Sequence, residues 1–333
     1  MNSPGDQIRN EIAERGAIPF ARFMELALYC PLCGYYEKKK DTPGQRGDFY
    51  TSVSVGPSFG ELLAFQFAEW LEALPVADCR WPIVEAGAHD GRLAKDILAW
   101  LRLRRPGLFE KIEYWIVEPS SRRQKWQRET LEEFVPSVKW FADFHSLTTT
   151  SLCAATNRPS AIGNRQSVRG VIFSNELLDA MPVQRIGWDA KRREWFEWGV
   201  TLQDDRFVWS RLPDAIHPSS FILHPSSKLL DVLPDGFTTE ICPAAENWWR
   251  EAASVLKQGK LLTLDYGLSA EEFFAPQRAN GTLRAYHHHR LSDDVLANPG
   301  EQDLTAHVNF TAIRRAGEGA GLKTETFASQ TQF

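Results

Sequence analysis

The sequence lacks a surplus of positive charge. Its 38 lysines and arginines stand against 43 aspartates and glutamates, a formal net charge of -5 at pH 7. That balance removes any general attraction to a nucleic-acid backbone, so no nucleic-acid partner is expected. The local basic runs, Arg102-Leu-Arg-Arg105 and Lys38-Lys-Lys40, read as a solvated helix end and a solvated loop. No apolar run approaches bilayer length and no basic-then-apolar leader is present, so the expectation is a cytoplasmic protein without membrane insertion. Cysteine is sparse, with 5 in 333 residues. The odd count and wide scatter argue for a reducing compartment. Only Cys30-Pro-Leu-Cys33 is closely spaced. Without a second such pair to complete a zinc site, it reads as a helix-ending turn with two reduced thiols. Repeats and low-complexity tracts are missing. So is the G-x-G-x-x-G pyrophosphate fingerprint, which makes a dinucleotide oxidoreductase a distant reading.

What is present is an alternation of strands and helices. The length suits one large α/β domain with an insertion, or two smaller domains. Apolar residues recur at helical spacing over 6–15, 19–29 and 59–74, with a polar, glycine-rich loop between the second and third. From Trp81 the chain reads strand, turn, helix: Ile83-Val84, a turn to Gly91, then Leu93, Ile97, Leu98 and Leu101 on one helix face. Strands at 112–117, 138–141 and 170–174 follow, with a helix over 120–133 and a Ser/Thr/Asn-rich link at 146–168. Residues 184–240 break the rhythm with short aromatic runs such as Trp195-Phe-Glu-Trp198, which predict an antiparallel β insertion. Pro243 opens another helix, with Gly259 as its C-terminal cap, before a strand over 260–264. The expected fold is a Rossmann-like, doubly wound α/β sheet with an N-terminal helical segment and the β insertion. The expected divisions are 1–75, 76–183, 184–240 and 241–333.

Parallel strands deliver their carboxyl ends to one edge of a sheet, where ligands bind. Here those ends carry Glu85, Glu118, Asp143, Asn175 with Glu176, and Asp265, with Asp179 just beyond. An acidic rim is wrong for pyrophosphate and suits ribose hydroxyls and a cationic group, since a carboxylate accepts hydrogen bonds at two oxygens. Glu85-Ala-Gly-Ala-His-Asp-Gly91 leads from strand to helix. Gly87 and Gly91 there let the backbone approach a ligand. The run His287-His-His289 reads as structural or surface histidine, and no metal site is expected.

In these motifs the chain resembles the MidA-like family of S-adenosylmethionine-dependent methyltransferases, which includes a mitochondrial arginine methyltransferase involved in complex I assembly. The likeness runs through Phe23-Met-Glu-Leu-Ala-Leu-Tyr29, Gly34-Tyr-Tyr36, Gly47-Asp-Phe-Tyr-Thr51, Glu85 to Gly91, Val117-Glu118, Ser174-Asn-Glu-Leu-Leu-Asp-Ala-Met-Pro-Val183 and Asp265-Tyr-Gly267. It continues through Gly281-Thr-Leu-Arg284 and Asp303-Leu-Thr-Ala-His307. The resemblance implies S-adenosyl-L-methionine as cofactor, with Gly47, Asp48, Phe49 and Thr51 folding over it. It implies that Glu85, Gly87, Gly91, Glu118, Asp143 and Asn175 line the cofactor pocket. Asn175, Glu176, Asp179 and Asp265 would be catalytic, and Tyr266, Arg284 and His289 would meet the substrate. His89 stands where the family has glycine. The family also usually continues beyond Ser329-Gln330 with another strand, so either the chain is truncated or its sheet lacks that edge strand.

The implied reaction is methyl transfer to an arginine of a partner protein, Glu176 and Asp179 gripping the guanidinium by paired hydrogen bonds. Alternatives are a methyltransferase acting on a small molecule, and an assembly factor that retains the fold without chemistry. Oligomeric state is not legible.

Overall fold

The computed structural model describes residues 3–38, 56–75, 80–149, 167–216, 227–287 and 290–332. The expected cofactor residues Gly47, Asp48, Phe49 and Thr51, and the substrate residue His289, lie outside the described residues. In chain order the elements used below are helices α1 (Pro4–Arg15), α2 (Phe20–Tyr29) and α3 (Ser58–Glu72), then strand β1 (Trp81–Ala86), helix α4 (Arg92–Arg104) and strand β2 (Ile112–Val117). Helix α5 (Ser121–Thr130) and strands β3 (Val138–Phe141) and β4 (Val168–Asn175) follow. Next come β5 (Gln184–Asp189), β6 (Glu194–Gln203), β7 (Arg206–Ile216) and β8 (Thr238–Ile241), then α6 (Pro243–Val255), β9 (Leu256–Leu264) and α7 (Phe310–Gly319).

The chain divides into two compact units. One comprises 50–177, 250–264 and 328–333. Its sheet has the order β9-β4-β1-β2-β3, every neighbouring pair parallel. The order reverses between β1 and β4, which is the switch point of a doubly wound sheet. Every residue of β1 is buried, as a central parallel strand requires. Helix α4 places Leu93, Ile97, Leu98 and Leu101 on one buried face, joined in the core by Leu63 and Phe67 of α3 and by Tyr114 and Phe173. Full burial of each such side chain contributes roughly 1.5–3 kcal/mol before the entropy of ordering it is subtracted.

The other unit comprises 1–49, 178–249 and 265–327. Its antiparallel sheet runs β6-β5-β8, with β7 on β6, as the aromatic runs predict. Residues Ile18–Pro19 add a short antiparallel strand on β6. Trp188 of β5 pairs in register with Trp195 of β6, their ring centroids 5.2 Å apart, in a core with Ile186, Leu233 and Phe237. Helices α1 and α2 bury Ile8, Ile12, Phe20, Phe23 and Met24 in a second core.

Two local expectations are corrected. Gly259 is not a helix cap: α6 ends at Val255, and Gly259 lies inside β9 with φ at +125°. A Cβ there would fall 1.8 Å from the Gly170 carbonyl oxygen, so the glycine serves a close strand approach. Cys30 and Cys33 are not two free thiols but are joined as a disulfide, their Cα atoms 5.5 Å apart across the turn that ends α2. That separation is within the reach of a disulfide bridge. Among the described residues, no helix is long and apolar enough to cross a membrane.

Candidate functional site

The strand ends of the parallel sheet are level. Ala86 is paired with Val117 and Ser174, Val117 with Phe141, and Asn175 with Leu264. The ladder continues one residue past the strands: Glu118 N–H donates to Phe141 O at 2.8 Å and Glu176 N–H to Leu264 O at 2.9 Å. Gly87, Glu118 and Glu176 therefore leave the sheet from the same edge.

The turn after β1 is built from left-handed residues, with φ at +74° for Gly87, +43° for His89 and +85° for Gly91. A side chain at 87 would strike Leu177 at 2.8 Å, and Gly91 is the residue from which α4 starts. His89 adopts the left-handed conformation without being glycine, which histidine tolerates better than most residues. Burial alone would push Asp90 up, but the neighbouring His89 ring, its Nδ1 3.8 Å away, and the charge of Arg92, 2.9 Å away, hold its carboxyl below the ordinary value.

Glu85 is buried, and its Oε2 accepts a 2.7 Å bond from Tyr114 OH. Burial pushes its carboxyl up to about 7; the Tyr114 bond opposes this and the charge of Asp90 adds to it. Glu118 is 1% exposed. Its Oε1 accepts from Ser120 N–H and Arg123 Nε, both at 2.9 Å, and its Oε2 from Gln127 Nε2 at 3.3 Å. Asp143 is exposed, and its Oδ1 accepts Ser146 N–H at 2.7 Å, which holds its carboxyl below the usual range and caps the short helix Phe144–Thr149. Asn175 closes β4, and Glu176 follows with φ at +48°.

Sequence reasoning passed over Gln127. It is fully buried on α5 and ties three parts of this edge together. Its Nε2 donates to His89 O at 3.0 Å as well as to Glu118, and its Oε1 accepts from Trp140 Nε1 at 3.0 Å. Arg123 and Gln127 are four apart on α5 and so share a helix face. That spacing was available in the sequence, but α5 is polar on every side and gave no buried stripe.

The remaining expected residues belong to the other unit. Asp179 is 8% exposed, and its backbone oxygen accepts Ala306 N–H at 2.9 Å. Asp265 holds a turn: Oδ2 accepts Leu178 N–H and Oδ1 accepts Tyr266 N–H, both at 2.8 Å. The Tyr266 side chain is 53% exposed, and Arg284 is exposed at the start of the strand Arg284–His287. Among the described residues no group of three or more His, Cys, Asp or Glu is placed to hold a metal ion.

The residues at the sheet edge fit an adenosyl sulfonium cofactor. Carboxylates rather than lysines or arginines stand at or just past the ends of β1, β2 and β4, at Glu85, Glu118 and Glu176, and His89 Nε2 is buried without a hydrogen-bond partner in the turn between Gly87 and Gly91.

Comparison with known proteins agrees. Residues 62–328 match the family model described as "Putative S-adenosyl-L-methionine-dependent methyltransferase". A structure from Burkholderia thailandensis solved with S-adenosyl-homocysteine bound is 34% identical, covering 96% of this chain and 76% of its own, with a TM-score of 0.76. The mitochondrial protein arginine methyltransferase NDUFAF7 of Rattus norvegicus is 29% identical over 325 residues, 93% of this chain and 68% of the rat protein. Its Homo sapiens counterpart is 27% identical over 338 residues, 93% of this chain and 67% of the human protein.

Proposed function

This chain belongs to that family of S-adenosyl-L-methionine-dependent methyltransferases, and from that premise we propose that it methylates an arginine side chain of a partner protein. Similarity to relatives named as protein arginine methyltransferases supports the substrate class. The role in complex I assembly implied by the sequence resemblance belongs to the same proposal. The observation that carries the reading is the acidic edge of the parallel sheet, where a glycine turn, Glu118 and Asn175-Glu176 leave neighbouring strands at one level.

In this reading the turn from Gly87 to Gly91 offers backbone to the cofactor, and Glu118 accepts from its ribose. The Oε1 of Glu118 already accepts from Arg123 and Ser120, so ribose would compete for or share that oxygen. Asp143 and Glu85 complete the cofactor side, together with Gly47, Asp48, Phe49 and Thr51. When bound, S-adenosyl-L-methionine supplies a methyl carbon made electrophilic by its sulfonium. Glu176 would orient the incoming guanidinium by hydrogen bonds and take up the proton that its nitrogen gives up on being methylated. An arginine is charged at neutral pH and a poor nucleophile, so alignment supplies most of the acceleration. We assign Asn175, Asp179 and Asp265 supporting roles, and place Tyr266, Arg284 and His289 with the protein substrate.

Calorimetry with S-adenosyl-L-methionine, combined with a radiolabelled transfer assay, tests this. Glu176→Gln is expected to keep cofactor affinity within a few-fold and to lose transfer by about a hundredfold or more, the usual range for removing a proton acceptor. Normal turnover by that variant overturns the assignment.

A further inference from the structure

The turn that ends α2 carries a reactive bond that the proposed transfer does not use. Cys30-Pro-Leu-Cys33 is closed by its disulfide, and Cys33 N–H and Gly34 N–H both donate to Cys30 O, at 3.2 and 2.7 Å. Cys30 is 2% exposed, but Cys33 is only partly buried, and the tip formed by Pro31 and Leu32 stands in solvent. Leu32 has φ at +71°, a left-handed conformation that a bulky side chain adopts only at a cost. The disulfide is one of the ties that hold it there, so opening the ring relieves that cost.

The same turn joins two anchored tyrosines. Tyr29 OH donates to Ala180 O at 3.0 Å and Tyr36 OH to Asp303 Oδ1 at 2.7 Å, and the two rings are stacked with centroids 5.6 Å apart. Ala306 N–H donates to Asp179 O at 2.9 Å. The segments 29–36, 179–180 and 303–306 are thus pinned to one another, all within one unit. Disulfides that are accessible or sit in strained turns exchange with thiols, whereas purely structural ones resist glutathione.

We propose that Cys30 and Cys33 form a reversible modification site for a low-molecular-weight thiol, and that its redox state sets how firmly Tyr29 and Tyr36 hold the segments around Asp179 and Asp303. A first thiolate attacks Cys33 Sγ, on the more open side of the bond. A mixed disulfide forms as the Cys30–Cys33 bond breaks, and Cys30 leaves as a thiolate that takes a proton from water. A second thiolate attacks the first molecule's sulfur in the mixed disulfide, and Cys33 leaves in the same way. Two electrons have then passed to the protein, and the two thiol molecules depart joined as their own disulfide. The exchange requires neither S-adenosyl-L-methionine nor a methyl acceptor, so it stands or falls independently of the proposed transfer.

Glutathione provides the probe. The full chain is equilibrated without air in reduced or oxidised glutathione and trapped with N-ethylmaleimide, and the peptide holding Cys30 and Cys33 is weighed by mass spectrometry. No label in oxidised glutathione and two labels in reduced glutathione are expected, reversing when the buffers are exchanged, with the folded circular dichroism spectrum in both. Amide exchange at Gly34 and Ala306 should quicken several-fold in the reduced chain. A chain carrying both Cys30→Ser and Cys33→Ser should exchange at the fast rate in either buffer. Two labels in oxidised glutathione, no label in excess reduced glutathione, or equal exchange in the two states overturns the proposal. If the doubly substituted chain does not fold, the contrast between the two buffers in the unaltered protein decides the matter.

Discussion

Glu85 shows how much one residue can set the pH response of the protein. Its carboxyl moves from an ordinary 4.5 to about 7 in the folded chain, chiefly through burial. Below pH 4.5 both folded and unfolded states hold the proton. Between 4.5 and 7 the folded state keeps a proton that the unfolded state has released, so this contribution to stability is lost as pH rises. At about 1.4 kcal/mol per unit the loss amounts to ~3 kcal/mol. Glu85→Gln keeps an acceptor for Tyr114 and removes the titration. Urea unfolding of both proteins from pH 4.5 to 7.5 should show the unaltered chain losing ~3 kcal/mol more than the variant. Parallel curves would contradict the burial argument. At this scale the strand-end acids were legible, because an apolar run that stops at a carboxylate marks both the strand and its edge. The partners of those acids were not. Nothing in the spacing of Arg123, Gln127 or Tyr114 announces that they reach Glu118 or Glu85, since those contacts form only once β1, β2 and α5 are assembled.

Elements were legible where periodicity was strong. Strands β2 and β3 have the bounds that their apolar runs predict, and α4 has the face its Leu and Ile spacing predicts. Gly259 was misread because glycine after a helical stretch is the usual sign of a cap. Here the strand begins directly after α6, and the glycine meets a neighbouring backbone instead. Helix α5 is inconspicuous in sequence, yet its Arg123 and Gln127 bond to Glu118, the His89 carbonyl and Trp140. Gln127→Leu keeps its bulk but strips partners from His89 O, Glu118 Oε2 and Trp140 Nε1. A loss of about 2 kcal/mol is expected, the scale of leaving buried polar groups unpaired. Amide exchange should quicken in the turn from Gly87 to Gly91 ahead of the rest of the sheet. Uniform exchange across both would mean that α5 does not brace the turn.

At the scale of the whole chain, an all-parallel sheet with one switch point and a separate antiparallel sheet occupy different units. The alternation of strands and helices announced the first, and the aromatic runs after Gln184 announced the second. What the pattern could not reveal is the recruitment of Ile18–Pro19 to β6, a pairing between segments some 180 residues apart. Such a pairing leaves no trace in local propensity. Methyl transfer to arginine is the central claim, and labelled transfer to proteins tests it most directly. The full chain is incubated with isotopically labelled S-adenosyl-L-methionine and a lysate of its own source cells, and the modified peptides are read by mass spectrometry. Labelled methyl on arginine nitrogen, absent with Glu176→Gln, is the predicted result; no labelled protein, or label confined to other residue types, would contradict it.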